Sequence, residues 1–187
     1  MHSAPQRFRV VLDQLRQADT RQEIELGEVP APSKLAPYAV AMSADVAGQE
    51  GDALAVGRFI LLYDPQYSQV WDGNFRIVTY IRTSLEKGVG EDPLVSEVAW
   101  SWMVEALDNA AATYRQPGGT ASRVLSQGFG RLDQQVETID LELRASWTPL
   151  GDHLDRHLTA WTDMVCTFAG LPPTTDGVIP LNSIRRK

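Results

Sequence analysis

The sequence predicts an α+β domain, one mostly antiparallel sheet of about five or six strands packed with three helices, in the order α-β(3-4)-α-β(2)-α. Three observations lead there. Several stretches alternate apolar and polar residues at period two. Most links between them are of hairpin length, and such links make neighbouring strands antiparallel. Three further stretches, at the start, middle and end of the chain, repeat their apolar residues at helical spacing. Neither a dinucleotide-binding βαβ unit nor an internal repeat interrupts this order.

The first element follows Ser3 and Pro5, where Phe8, Val11, Leu12 and Leu15 give QRFRVVLDQLRQAD an apolar helical stripe, and Arg7, Arg9 and Arg16 leave from its other sides. Glu23, Ile24, Glu25 and Leu26 then alternate as a short edge strand before Pro30, Pro32 and Pro37 impose a stiff loop. From Tyr38 to Val46 the large residues share one face, and Ala39, Ala41, Ser43 and Asp45 share the other. So small a face invites a close approach, most simply by a helix laid across it. GRFILLYD carries an unbroken apolar run from Phe59 to Tyr63, the pattern of a strand covered on both faces or nearly so, and Asp64-Pro65 turns the chain out of the sheet. NFRIVTYIRTSLE alternates further than any other stretch and is predicted to be the longest strand.

The central helix is predicted over Pro93 to Ala112, with Asp92 as cap and Pro93 in the first turn. At about 100° per residue Trp100 and Trp102 point roughly 200° apart, so a single flat core cannot cover both indoles. A further part of this chain or a second copy of it must supply the other cover. Pro117, Gly118 and Gly119 then read as a break before TASRVLSQGF, a strand centred on Val124 and Leu125. VETIDLELRASW places Ile139, Leu141, Leu143, Ala145 and Trp147 on one face against a wet one. Thr148-Pro149 reads as the cap and first turn of a last helix with a stripe of Leu150, Leu154, Leu158, Trp161, Val165 and Phe168, ended by Gly170 and Pro172-Pro173. Residues 1–170 are thus expected as a single domain and 171–187 as an extended or disordered tail, with Val178, Ile179 and Leu181 latching onto the body.

Composition bounds the function. The 187 residues, 43% hydrophobic and 22% charged, are those of an ordinary globular chain. A net charge of -7 argues against nucleic acid or an anionic membrane as partner unless the basic residues cluster in the fold. Cys166 is the only cysteine, so an internal disulfide and a cysteine-built zinc site are excluded, and its apolar setting makes it a buried filler. The first 30 residues hold no signal segment, and no apolar run reaches about 18 residues, which points to the cytoplasm and away from the membrane.

No constellation of catalytic type stands out. His153 and His157 in HLDRH are four apart and could face one ion from a helix, but Leu154 stands where a zincin needs glutamate. Asp64 and Asp72 belong to turn dipeptides, and Gly118-Gly119 lacks the context of a phosphate cradle. No catalytic residue, metal ligand or cofactor is therefore expected. The stretch best suited to binding carries Tyr63, Tyr67, Trp71, Asp72, Arg76 and Tyr80, joined by Trp100, because aromatic and arginine side chains dominate interface energetics. Arg76, Tyr80 and Arg82 fall on the strand face opposite the main apolar one. A non-catalytic protein-interaction or adaptor module, with a protein partner or a second copy as occupant, is favoured. The alternative is a small-molecule ligand-binding protein or enzyme with a pocket near the 63–80 loop and strand.

The element order resembles the secretion-chaperone-like fold, which implies partner-polypeptide binding and frequent dimerisation. The segments EVPAPSKLAPYAVAMSADV, GRFILLYDP, WDGNFRIVTYIR, DPLVSEVAWSW, RASWTPL and WTDMVCTFAGLPP resemble an actinobacterial family described as a domain of unknown function, number three thousand. That resemblance runs over about residues 7 to 180 and implies no activity and no catalytic residue.

Overall fold

The structure, a computed structural model, describes residues 3–173. His2 and the C-terminal Val178, Ile179, Leu181, Arg185, Arg186 and Lys187 lie outside the described residues. Helix α1 (Gln6–Arg16) precedes strands β1 (Ile24–Val29), β2 (Tyr38–Ala47), β3 (Ala53–Ser68) and β4 (Gly73–Leu85). The short α2 (Lys87–Gly90) and the long α3 (Val95–Asn109) follow, then β5 (Tyr114–Ser126), β6 (Thr138–Pro149) and α4 (Asp155–Phe168). The strands form one antiparallel sheet in the order β1-β2-β3-β4-β6-β5. The chain is an α+β fold. No helix among the described residues is long and apolar enough to cross a membrane.

The helices share one side of the sheet, because that side receives the large residues of every inner strand. Phe59 and Leu61 of β3, Ile77 and Ile81 of β4, and Leu141, Leu143 and Trp147 of β6 are all buried there. From α1, Phe8 stacks on Tyr63 at 5.7 Å between centroids and meets Tyr38 at a tilt. From α4, Trp161 lies 5.5 Å from Phe59 between ring centroids. Its ring also rests on Gly57, where an added Cβ would come within 2.7 Å of the indole and 2.9 Å of the Tyr80 carbonyl. Helix α3 turns Val95, Ala99, Met103 and Leu107 into the core. Its two indoles find separate covers within the chain: Trp102 meets Phe168 edge-on at 5.3 Å, and Trp100 lies against β5 at Gly119.

Several boundaries differ from the sequence expectation, each for a local reason. Strand β3 runs on past Pro65 and, at 16 residues, is longer than β4 at 13. Its pairing with β4 is irregular between Tyr63 and Ser68, so the missing proline N–H leaves no ladder bond unmade. Strand β5 likewise passes through Pro117-Gly118-Gly119, with a register shift between Arg115 and Gly118 and Gln116 at φ 55°. That early start gives Thr148 and Pro149 partners in Arg115 and Tyr114, so these two residues stay in β6 instead of opening a helix. Helix α4 begins only at Asp155, and His153 lies before it, which removes the helical spacing on which a shared ion at His153 and His157 depended. Asp92 accepts from the Leu94 N–H at 2.9 Å and so caps the turn ahead of α3.

Of two expectations about the other side of the sheet, one fails. The small face of β2, Ala39 to Asp45, takes no helix, because α1 and α4 pack on the side bearing Tyr38, Ala44 and Val46. The apolar run of β3 carries helices on one face only, yet on the other face Leu62 is buried and Ile60 half-buried, so the run is nearly covered on both faces.

His157 is 1% exposed, and its Nδ1 accepts the indole N–H of Trp147 at 3.0 Å. Burial lowers its pKa from 6.5 to about 4. The folded state therefore binds fewer protons than the unfolded chain between these values, and stability present above pH 6.5 is lost as pH falls toward 4. Urea denaturation should register a loss on the order of 3 kcal/mol over that window in the wild type, and a His157→Gln variant should flatten it. A Gly57→Ala substitution should cost about 1–3 kcal/mol, because neither the indole of Trp161 nor the Tyr80 carbonyl has room to retreat. Thermal or chemical denaturation of that variant checks this directly.

Candidate functional site

With every helix on one side, the opposite face of the sheet is left open, and the register makes it a grid. One row across the strands reads Ser43, Arg58, Tyr80, Arg144 and Thr120. The next reads Ala41, Ile60, Val78, Ser146 and Gly118. Beyond it, Ala39, Leu62 and Arg76 continue the pattern. Successive rows are about 7 Å apart, two residues along each strand. The middle rows floor a depression of about 710 Å³ whose apolar base is Ile60 and Val78 and whose rim carries Arg58, Tyr80 and Arg144.

Glycine makes the far wall of this depression. Gly118, opposite Ser146, sets no side chain over it, while Gly119 faces the helices, where an added Cβ would lie 2.4 Å from the Arg144 carbonyl and 3.0 Å from the Trp100 ring. The flat backbone there leaves the β6 side chains uncovered.

The charges on the face are unevenly matched. Arg144 pairs with Glu142 at 2.9 Å and lies over the Tyr80 ring at 4.8 Å from its centroid. The Tyr80 hydroxyl donates to Glu142 at 3.1 Å. Arg144 thereby holds Glu142 below the usual carboxylate range, while burial and Glu142 push the Tyr80 phenol up. Asp140 accepts from Ser84 at 2.6 Å, and Asp45 stands toward the β2 edge opposite Val56. Arg58, Arg76 and Arg82 form no ion pair among the described residues. Arg82 faces Glu142 across the ladder without closing a bridge.

Arg76 is the most firmly held of the three. Its Nη1 donates to the Gln116 carbonyl at 2.8 Å and to Thr148 Oγ1 at 3.0 Å, and its Nη2 donates to Ser146 Oγ at 2.8 Å. All three acceptors are neutral, and burial lowers its pKa. The bulge at Gln116 brings that carbonyl within reach of β4, although β6 lies between the two strands.

The other residues marked in the sequence fall elsewhere. Tyr67 and Asp72 meet at the β3–β4 hairpin, where the phenol donates to the carboxylate and Arg115 pairs with Asp72 at 3.2 Å. Asp72 takes φ 53°, the left-handed conformation that aspartate tolerates in turns. Trp71 is half-buried, and its carbonyl accepts from Thr148. Tyr63 is buried in the core on the helix side. Trp100 is half-buried beneath β5 on the helix-bearing side, so the structure separates it from Arg76 and Tyr80. Of the marked residues, only Arg76 and Tyr80 come together on the open face. Arg58, Ile60, Val78, Arg144 and Ser146 join them there and were not singled out in the sequence. For Val78, Arg144 and Ser146 the signal was present in the alternation of β4 and β6, whose wet faces hold Arg76, Val78, Tyr80 and Glu142, Arg144, Ser146.

A second hollow of about 770 Å³ lies between α1, the hairpin and the loop after β6. Its polar groups serve one another: Arg7 donates to Asn74, Gln14 to the Asp152 carbonyl, and Arg115 to Asp72. Elsewhere, burial pushes the Cys166 thiol up to about 11, so it is held as thiol in the core. Among the described residues no three His, Cys, Asp or Glu side chains converge as metal ligands.

The helix-backed sheet with one bare, arginine-bearing face sets the structural class. Residues 4–179 match the family described as Protein of unknown function (DUF3000), and the chain belongs to that family. No curated protein and no solved structure matches the chain.

The Tyr67–Asp72 contact makes a specific expectation. Asp72 raises the Tyr67 phenol pKa chiefly through its hydrogen bond. Replacing the carboxylate by Asp72→Asn should return the Tyr67 titration toward the ordinary tyrosine value of about 10, followed by tyrosine ring-carbon NMR with Tyr67→Phe for assignment.

Proposed function

We propose that this chain is a non-catalytic protein-interaction module whose open sheet face receives a segment of a partner protein. The observation that carries the reading is the combination on that face of an apolar floor at Ile60 and Val78 with three arginines that form no ion pair among the described residues, in a chain of net charge -7. An acidic chain gains nothing in solubility from gathering guanidinium groups over apolar residues. Such a surface suits a partner that supplies both carboxylates and apolar side chains.

Charge also decides among occupants. A second copy docking face to face would oppose the same arginines, and like charges brought together are costly. The second cover for the α3 indoles, moreover, is already met by Phe168 and β5. Nucleic acid would need rings free to stack, and Tyr80 is engaged by Arg144 above and Glu142 at its hydroxyl. The small residues of β2, Ala39, Ala41 and Ser43, leave room for a backbone to approach closely. The likeness of the element order to secretion-chaperone-like proteins also supports partner binding. The hollow beside the hairpin, where the polar groups satisfy one another, gives less support to a small-molecule ligand.

An Ile60→Asp variant puts a carboxylate in the floor without touching the helix-side core. Tagged wild type and variant, purified from their own cell and compared by quantitative mass spectrometry, should differ in one partner, with the variant losing at least about tenfold in recovery. The identified partner should then bind purified wild type, and less so at high salt. Equal recovery of that partner by a folded Ile60→Asp protein would refute the reading.

A further inference from the structure

Arg76 has five N–H donors, and three are spent on Gln116, Thr148 and Ser146. Nε and Nη2 border one edge of the guanidinium plane, the edge that grips a carboxylate through two parallel hydrogen bonds, and of their three N–H donors only one is spent, on Ser146. Side-chain entropy normally opposes such a grip, but here the three bonds already made hold the fork in place. Ser146, which accepts from Arg76 and lines the depression, ties this fork to the apolar floor.

The grid sets the spacing of what binds. Along β4 the row of Arg76 and the row of Tyr80 are four residues apart, with Val78 midway. Arg58 lies directly across from Tyr80 and forms no ion pair among the described residues. The two cationic rows are therefore about 14 Å apart along the strands, with the Ile60–Val78 strip between them. In an extended chain, side chains at i and i+4 point the same way at that same spacing, and i+2 falls midway.

Resting on the open-face reading above, we propose that the partner segment is an extended acidic-x-apolar-x-acidic stretch. One carboxylate is held bidentately by Arg76, the apolar side chain sits on Ile60 and Val78, and the second carboxylate lies over Arg58. Arg144, already paired with Glu142, lines the rim beside the second carboxylate and does not anchor it. On this face Glu142 and Asp140 are engaged by Arg144 and Ser84, while Asp45 stands one row from Arg58 on β2 and is the carboxylate the second acidic side chain competes with.

The test uses the full chain with isotope-labelled arginine and follows the Nε–H signals by NMR. The probes are the capped peptides Glu-Ser-Leu-Ser-Glu and, with the same composition but wrong spacing, Glu-Glu-Leu-Ser-Ser, together with sodium acetate, sodium phosphate and a single-stranded RNA. The first peptide should shift the Arg76 and Arg58 signals saturably and bind at least about tenfold more tightly than the second. Acetate should move Arg76 more than an equal ionic strength of chloride does. An Arg76→Lys variant, which keeps the charge and loses the fork, should weaken the first peptide by about tenfold while its fold is confirmed by circular dichroism. Equal affinity for the two peptides, or an Arg76 signal that no carboxylate moves, overturns the proposal. So does a saturable response to phosphate or RNA without one to the peptide. A flat Arg76 signal would remove the anchor and leave the open-face reading intact, since that reading is decided by the Ile60→Asp comparison.

Discussion

The contact of Trp161 with Gly57 and Phe59 fixes the last helix across the middle of the sheet, and the remaining architecture follows from it. An indole of that size reaches the strand backbone only where glycine leaves the space, so α4 has one position and one side. Once α4 is seated, α1 and α3 find apolar neighbours on the same side: Phe8 against Tyr38 and Tyr63, Trp102 against Phe168. The apolar stripes of the three long helices are then used up. Nothing among the described elements remains to cover the other face.

The open face is consequently the product of the covered one. Period-two alternation sends Phe75, Ile77, Thr79 and Ile81 toward the helices and Arg76, Val78, Tyr80 and Arg82 away from them. The antiparallel register then aligns Arg58, Tyr80 and Arg144 into a row, with Ile60, Val78 and Ser146 beside it. No single strand contains this pattern. The depression exists because four strands contribute to it and because Gly118 puts no side chain over its rim.

Much of the fold was legible in the residues. The order of helices and strands, the wet and apolar faces of β6, and the termination of α4 at Gly170, which takes φ +79°, all follow from local periodicity and backbone freedom. The misread boundaries share one cause. Pro65, Pro117 and Thr148-Pro149 carry turn or helix-start signals, yet each lies in a strand, because a neighbour supplies pairing or a bulge releases the proline from it. Of the candidate site, Arg76 and Tyr80 were recoverable because alternation puts them on one face of one strand. Arg58 and Ile60 were not, since an unbroken apolar run gives no sign of which side will be covered.

By itself the sequence determined which residues could share a face, how many helices were available to cover a sheet, and that Trp100 and Trp102 would need separate covers. Those are consequences of helix and strand periods, which depend only on neighbours along the chain. Only the tertiary structure decided which side of the sheet the helices took, that both indoles would be covered by this chain, and that arginines from three strands would stand together over an apolar floor. Register and helix docking are set by contacts between residues far apart in the sequence, such as Trp161 on Gly57, and no local pattern encodes them.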